Sequence, residues 1–437
     1  MSKNLKIIMK TGDYLKVNLR SGISHSGLVV PSKDQKSIVL KLDSGYNVGV
    51  LKSEIKSTSK LSKPKQKTEQ KTIKITQNKS LKKITILHTG GTIASKVDYA
   101  TGGVIAKFTP QDILNMFPEL SEIANIDSRL IANMWSDDAR FYHYNKLAKE
   151  VEKEVKNGVA GVIITSGTDT MHYTSAALSF ILENINVPVL IVGAQRSSDR
   201  GSSDAGVNLV AAANFITKTN FVGVAICMHA NTNDNECFIL NGCKVRKMHT
   251  SRRDAFRPIN INPIASVDSK GNISYLSDYK KKHDQKLKLK LFNENLKVGI
   301  LKIHTNMHPE QFKVYKSFKG LILEGTGLGH TPGDVIDSST KIHKQIVSEL
   351  KKLTKTAVVA MTSQCIYGRI NMNVYSKGRM LQDLGIIGNL CDMTPETAFI
   401  KLSWLLSNYK KNQIKELFEK DLRGEISSKT NYKEMFI

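Results

Sequence analysis

The 437-residue chain predicts a two-lobed α/β protein built on parallel sheets, preceded by a small all-β, barrel-like module. Three observations carry this expectation. Short alternating runs separated by glycine turns occupy the first 55 residues. Apolar, β-branched runs then alternate with helical periodicity from residue 84 onward. Two lysine-rich polar stretches divide the chain, one before the first α/β run and one between the two halves of the α/β pattern.

In the opening module, Tyr14–Leu19 and Ser37–Leu42 alternate in polarity, and Gly12-Asp13, Ser21-Gly22, Ser26-Gly27 and Ser44-Gly45 supply turns. Short strands at this spacing predict a small barrel or sandwich over residues 1–55. Residues 56–83 hold ten lysines and a single acid, Glu69, with little that could pack, and are expected to form a linker. Beyond it, strands are expected at Ile84–His88, Val159–Thr165, Val187–Val192 and Phe221–Cys227, then at Val298–Ile303, Leu321–Leu323 and Ala357–Met361. Helical periodicity fills Asn145–Lys156, Thr170–Asn184, Asp204–Thr217, Ile342–Leu353 and Glu396–Leu406. This alternation implies parallel sheets joined by helical crossovers. Lobes are expected over 84–276 and 297–437, joined by a connection at 277–296 that includes the polar stretch Ser277–Lys290.

With 64 basic and 39 acidic residues the net charge is +25, which predicts attraction to polyanions such as RNA. Residues 1–80 hold 17 basic and 5 acidic residues, so the module and its tether are the first candidates for such a contact. No apolar run approaches the ~20 residues that span a bilayer. The start, Met1–Leu5, lacks an apolar signal core. The five cysteines form no CxxC pair, so they read as reduced thiols of a cytoplasmic protein without a metal site. The glycines lack nucleotide-binding spacing, which excludes an ATP site of known motif type.

Two strand–turn–helix units carry the candidate chemistry: Ile84–His88 followed by Thr89-Gly90-Gly91-Thr92-Ile93-Ala94-Ser95, and Gly161–Thr165 followed by Ser166-Gly167-Thr168-Asp169-Thr170-Met171. Such units aim free backbone N–H groups and the first helical side chains into the crevice above a parallel sheet. A threonine hydroxyl needs a base and donors for the oxyanion it creates. A lysine could supply the proton transfer, and spacing alone does not choose between Lys244 and Lys247. Thr92, Thr168, Asp169 and a lysine are therefore the candidate catalytic set.

These two turns resemble the paired signatures of the bacterial-type L-asparaginase family. So does the segment around Lys247, which stands nine residues before Phe256. Glu324–His330 and Met393–Ala398 look like that family's C-terminal lobe, and the resemblance covers about residues 82–420. An ordinary asparaginase has no β module. The module's Gly12-Asp13-Tyr14 and Ile38–Asn47, together with Arg246–Phe256, resemble the D-type family of archaeal glutamyl-tRNA(Gln) amidotransferase components over the whole chain.

The resemblance implies an asparaginase-like fold and hydrolysis of glutamine or asparagine. Thr92 is implied as nucleophile, with Thr168, Asp169 and Lys247 as the second set, although either threonine could attack. Ser136 and Asp137 are implied in substrate binding, Ser136 at the α-carboxylate, and Gly91 at the oxyanion. The family's loop tyrosine falls about a dozen residues after the first threonine, whereas Tyr99 comes early. Either Tyr99 serves in a changed loop, or the loop is completed by a partner. That partner, the E-type component of the amidotransferase, is implied to use ATP and Mg on Glu-tRNA(Gln). This chain is then implied to be a homodimer inside a heterotetramer, with no cofactor of its own. A free-standing catabolic asparaginase is the alternative.

Overall fold

The computed structural model describes residues 9–32, 34–43, 47–62, 78–91, 93, 95–97, 104–106, 110–196 and 202–430. Two of the expected site residues, Thr92 and Tyr99, lie outside the described residues.

Five antiparallel strands open the chain: β1 (Tyr14–Leu19), β2 (Ser24–Val30), β3 (Ser37–Leu42), β4 (Asn47–Leu51) and β5 (Ile55–Lys60), in the order β4-β3-β2-β1-β5. One 3-10 turn, Lys52–Glu54, joins the two edge strands, so the sheet must curl to bring its edges together. Its core is Leu15, Val17, Val29, Ile38, Leu40, Val50 and Ile55. Strand β5 continues to Lys60, into the first residues of the stretch expected to be linker. Its sequence, IKSTSK, buries only Ile55 and so carries no alternation to read.

The α/β part begins with β6 (Lys83–His88), a short ribbon β7 (Ser95–Val97) and β8 (Val104–Ala106), helices α1 (Pro110–Met116) and α2 (Leu120–Ile123), and β9 (Asn125–Leu130). There follow α3 (Phe141–Lys156), β10 (Gly161–Thr165), α4 (Met171–Ile181), β11 (Leu182–Glu183), β12 (Pro188–Val192) and α5 (Ala205–Lys218). Then come β13 (Gly223–His229), β14 (Glu236–Asn241), β15 (Val245–Lys247), β16 (Phe256–Pro258), β17 (Ala265–Asp268), β18 (Ile273–Tyr275) and β19 (Lys288–Leu289). Helix α3 starts four residues before its apolar periodicity, where the Arg140 N–H donates to His143 Nδ1 at 3.0 Å and satisfies a donor at the helix start.

The main sheet has eight strands in the order β18-β17-β14-β13-β12-β10-β6-β9. Strands β13, β12, β10, β6 and β9 are mutually parallel, as the alternation predicts. Beyond β13 the sheet turns antiparallel through β14, β17 and β18, which makes it mixed. Every residue of β10 is buried, since helices cover both faces. Val162 and Ile164 pack on one side with α3 and α4, while Ile163 faces α5 on the other.

The second lobe contains β20 (Val298–Lys302), α6 (Glu310–Lys313), β21 (Gly320–Gly325), α7 (His343–Thr356), β22 (Val358–Ser363), α8 (Ser376–Asp383), α9 (Pro395–Asn408) and α10 (Lys411–Glu419). Its three strands run parallel in chain order. Helix α9 packs against α4 and contributes Trp404 and Leu405 to the first lobe's core, so the lobes share one apolar seam. Among the described residues, no helix is long and apolar enough to cross a membrane.

Candidate active site

The site grows from a register. Parallel pairing sets His88 opposite Thr165, so the turns after β6 and β10 emerge side by side at the carboxyl edge. Thr89 tightens this junction, with its N–H and its hydroxyl both donating to the Thr165 carbonyl at 3.0 Å. Below it, the fully buried His88 ring bonds Thr165 Oγ1 at 2.6 Å and Ser128 Oγ at 2.9 Å.

Burial pushes the His88 imidazole down to about 3. The unfolded chain, near the ordinary value of ~6.5, therefore takes up a proton while the native chain does not. This stability is fully present above pH ~6.5 and is lost as pH falls through that value toward 3. Thermal midpoints are expected to fall between about pH 7 and pH 5, and to fall less in His88→Asn.

Gly90 and Gly91 then adopt φ of +111° and +83°. At Gly91 a Cβ would stand 2.6 Å from the Gly167 nitrogen, so the two turns meet backbone to backbone. Only glycine combines that dihedral with that approach. Gly91→Ala is expected to force the turns apart and to cut amide hydrolysis about 100-fold, by the usual cost of misplacing reacting groups. Steady-state ammonia release checks this.

On the second turn, Thr168 and Asp169 precede α4. Lys247 arrives from a different element, the β15–β16 hairpin, in which it pairs with Phe256. Phe256 is fully buried and anchors the hairpin in the core. Lys247 Nζ donates to Thr168 Oγ1 at 2.8 Å and to Asp169 Oδ1 at 2.7 Å. The Lys247 side chain is 10% exposed and that of Asp169 70%, so this corner is sealed on the lysine side and open on the carboxylate side. Geometry separates the two lysines: Lys244 is fully buried and ion-paired with Asp392 at 2.6 Å, facing the second lobe.

Ser136 is buried at the start of a 3-10 turn, where its Oγ accepts from the Thr170 N–H at 3.3 Å. Its carbonyl accepts from Thr170 Oγ1, so this segment braces the Thr168 turn. Asp137, next in the chain, is exposed. The neighbouring arginines bind carboxylates: Arg246 meets Glu396 at 3.0 Å, Arg252 meets Asp254 at 2.8 Å, and Arg253 pairs with Asp234.

Glu396 is the residue to which the sequence assigns no role. It stands at the start of α9 in the second lobe, yet it is buried against Arg246, beside Lys247 in β15. His172 of α4 lies 3.9 Å from the same carboxylate and is pushed down to about 4 by burial and by the charges of Arg246 and Lys247. In the sequence this position is marked by the Thr-Pro-Glu helix start, a capping signal, and by the resemblance of Met393–Ala398 to the family's C-terminal lobe, which assigns it no role.

A strand-end corner with two threonine turns, a shared lysine and a carboxylate, in this two-lobed fold, defines an asparaginase-type amidohydrolase. The family descriptions agree. "Asparaginase, N-terminal" matches residues 83–281, "Glutaminase/Asparaginase C-terminal domain" matches 297–418, and "GatD N-terminal domain" matches 9–60. The thermostable L-asparaginase from Thermococcus kodakarensis superposes with a TM-score of 0.68 at 28% identity, over 79% of this chain and 100% of that one. L-asparaginase I from Vibrio cholerae gives 0.67 at 26% identity, over 79% and 99%.

The chain belongs to the GatD family, the D-type components of glutamyl-tRNA(Gln) amidotransferase. It is 44% identical over 430 residues to the member from Methanococcus maripaludis strain C7, covering 97% of this chain and 99% of the relative. To the Pyrococcus furiosus member it is 43% identical over 434 residues, covering 97% and 96%.

Proposed function

We propose that this chain releases ammonia from the side-chain amide of glutamine, or of asparagine, through a threonine acyl-enzyme. Its E-type partner in the amidotransferase then uses the ammonia to convert Glu-tRNA(Gln) to Gln-tRNA(Gln) in the cytoplasm. The observation that carries the reading is the Lys247 Nζ shared between Thr168 and Asp169, beside the contact of Gly91 with Gly167.

Thr92 follows Gly91 directly in the chain and is our nucleophile. Its oxygen attacks the amide carbon, and the electron pair moves onto the carbonyl oxygen, where the N–H groups of Gly91 and the turn stabilise it. Collapse of this intermediate breaks the C–N bond, and the departing nitrogen takes a proton and leaves as ammonia. Water then attacks the ester, returning the threonine hydroxyl and freeing the acid. Lys247 moves the proton, Thr168 relays it or orients the water, and Asp169 holds the lysine in place. In the reverse assignment Thr168 attacks with Lys247 as its immediate base. Ser136 receives the substrate's α-carboxylate with Asp137 beside it in substrate binding, and the exposed side of Asp169 is also open to the substrate's α-amine.

No cofactor is assigned to this chain. ATP and magnesium belong to the partner's activation of the glutamyl group, and the assembly we infer is a homodimer of this chain within a heterotetramer. Tyr99, or a loop completed by the partner, closes the site. The test is ammonia release from glutamine by the chain alone, then with its E-type partner and Glu-tRNA(Gln), with Thr92→Ala as control. Strong activation that is lost in the variant is expected. Full activity in isolation with a preference for asparagine would replace this reading by a free-standing asparaginase.

A further inference from the structure

The connection Ser277–Lys290 takes no part in the amide chemistry, yet it is strongly basic. It holds six lysines against two acids, Asp278 and Asp284. Lys280, Lys281, Lys282, Lys286 and Lys288 are exposed, and none of the five forms an ion pair among the described residues. Lys290 is ion-paired with Glu183 and donates to the Tyr409 hydroxyl.

This basic run is held by its backbone. The Val222 N–H donates to the Lys280 carbonyl at 2.9 Å, and Phe221 and Lys281 form an antiparallel bridge. Asn186 brackets His283, accepting from its N–H at 3.1 Å and donating to its carbonyl at 2.6 Å. The lysines therefore stand on an ordered rail.

Beside the rail lies an aromatic platform. Tyr275, at the end of the edge strand β18, stacks on Tyr279 with ring centroids 4.8 Å apart and planes 18° apart. Tyr275 is 49% exposed and Leu276 42%. Tyr279 is fixed from behind by Phe221 and by its hydroxyl donating to Asn220 Oδ1 at 2.9 Å, and Lys281 Nζ lies 5.9 Å from its ring centre. A cavity of about 510 Å³ adjoins the platform, lined by Phe221, Tyr279, Lys280, His283 and Arg423. A second, of about 540 Å³, shares His283 with it and adds Lys156 and Lys286.

We propose that this face binds single-stranded RNA, with a base stacked on Tyr275 and phosphates held by Lys280, Lys281 and Lys282. Unpaired ammonium groups attract any polyanion. An exposed Tyr275 ring, held by its half-buried partner Tyr279, adds what only an unpaired base can use, since a duplex keeps its base faces inside. An acidic protein would engage the lysines and leave the platform idle. The first cavity is lined by Val222 and Gly223, at the start of β13, whereas the amide corner sits at the carboxyl ends of β6 and β10. RNA held here leaves that corner free. The surface stands on its own charge and ring geometry and does not depend on the hydrolase reading.

Fluorescence anisotropy of the full chain with a labelled oligouridylate of about 12 nucleotides, between about 50 and 200 mM salt, tests the proposal. Tyr275→Ala is expected to weaken binding about tenfold while Tyr275→Trp preserves it. The triple variant Lys280→Ala/Lys281→Ala/Lys282→Ala should weaken it at least tenfold and flatten the log–log salt slope by about 2, at ~0.7 per lost phosphate contact. Ammonia release should be unchanged in all three variants. Wild-type binding by Tyr275→Ala or by the triple variant would overturn the proposal. So would displacement of the oligonucleotide by polyglutamate as readily as by unlabelled RNA. Absence of ammonia release from the unmutated chain, with its RNA binding intact, would count against the hydrolase reading alone.

Discussion

Lys247→Met is expected to lower ammonia release from glutamine about 1,000-fold, with KM changed much less, within the usual range for removing a positioned proton-transfer group. The side chain is nearly isosteric, so the hairpin pairing of Lys247 with Phe256 should survive. What disappears is the one group within hydrogen-bond reach of both Thr168 Oγ1 and Asp169 Oδ1 among the described contacts. Asp169 is largely exposed, so its carboxylate stays solvated when the lysine is gone and the fold loses little. A loss confined to kcat, with the thermal midpoint within a few degrees of wild type, is the signature of chemistry. An equal fall in activity and midpoint would instead mean that the lysine only staples the turn.

The largest stability effect is expected at a different lysine. Lys401 and Glu425 are both fully buried and meet at 2.5 Å. Lys401 Nζ also donates to the Phe418 carbonyl at 2.9 Å and the Lys420 carbonyl at 2.6 Å. Glu425 accepts the N–H groups of Leu422 at 3.0 Å and Arg423 at 2.6 Å. Lys401→Met leaves that carboxylate buried without its cation, which costs about 3–5 kcal/mol. Burial already raises the Glu425 carboxyl above its ordinary range, against the pull of Lys401, so the lone acid should take up a proton. Denaturant unfolding should show the loss, and the double variant Lys401→Met/Glu425→Gln should recover part of it. Lys401 shares α9 with Glu396, which grips Arg246 beside Lys247. Activity should therefore fall on mild heating in this variant before it falls at low temperature.

The parts of the fold that could be read in the chain are those with strong local signals. Strands β6, β10 and β12 are short apolar runs that end in turns, and each is buried on both faces. Helix α9 was legible from its apolar period. Strands β14, β17 and β18 were not expected. Their residues sit among polar loops, and their antiparallel partners are decided by sheet extension beyond β13, a non-local choice. Strand β5 escaped for a related reason, since an edge strand with a single buried residue has no pattern.

The candidate site divides in the same way. By itself, the sequence determined which groups are present: two threonine turns and a following carboxylate, set by local strand–turn–helix chemistry, and two lysines in a polar segment that was expected to be a loop. Spacing could not choose between Lys244 and Lys247, which are chemically identical and three residues apart, and the family resemblance named Lys247 without a physical reason. The choice fell to the hairpin register, which buries Phe256 and swings Lys247 to Thr168 while Lys244 is consumed by Asp392. Nor could it bring Glu396 to Arg246, because that contact depends on how α9 of one lobe packs on α4 of the other. Tertiary structure decided the convergence, since His88 and Thr165 stand 77 residues apart and only parallel pairing in a buried sheet aligns the turns that follow them.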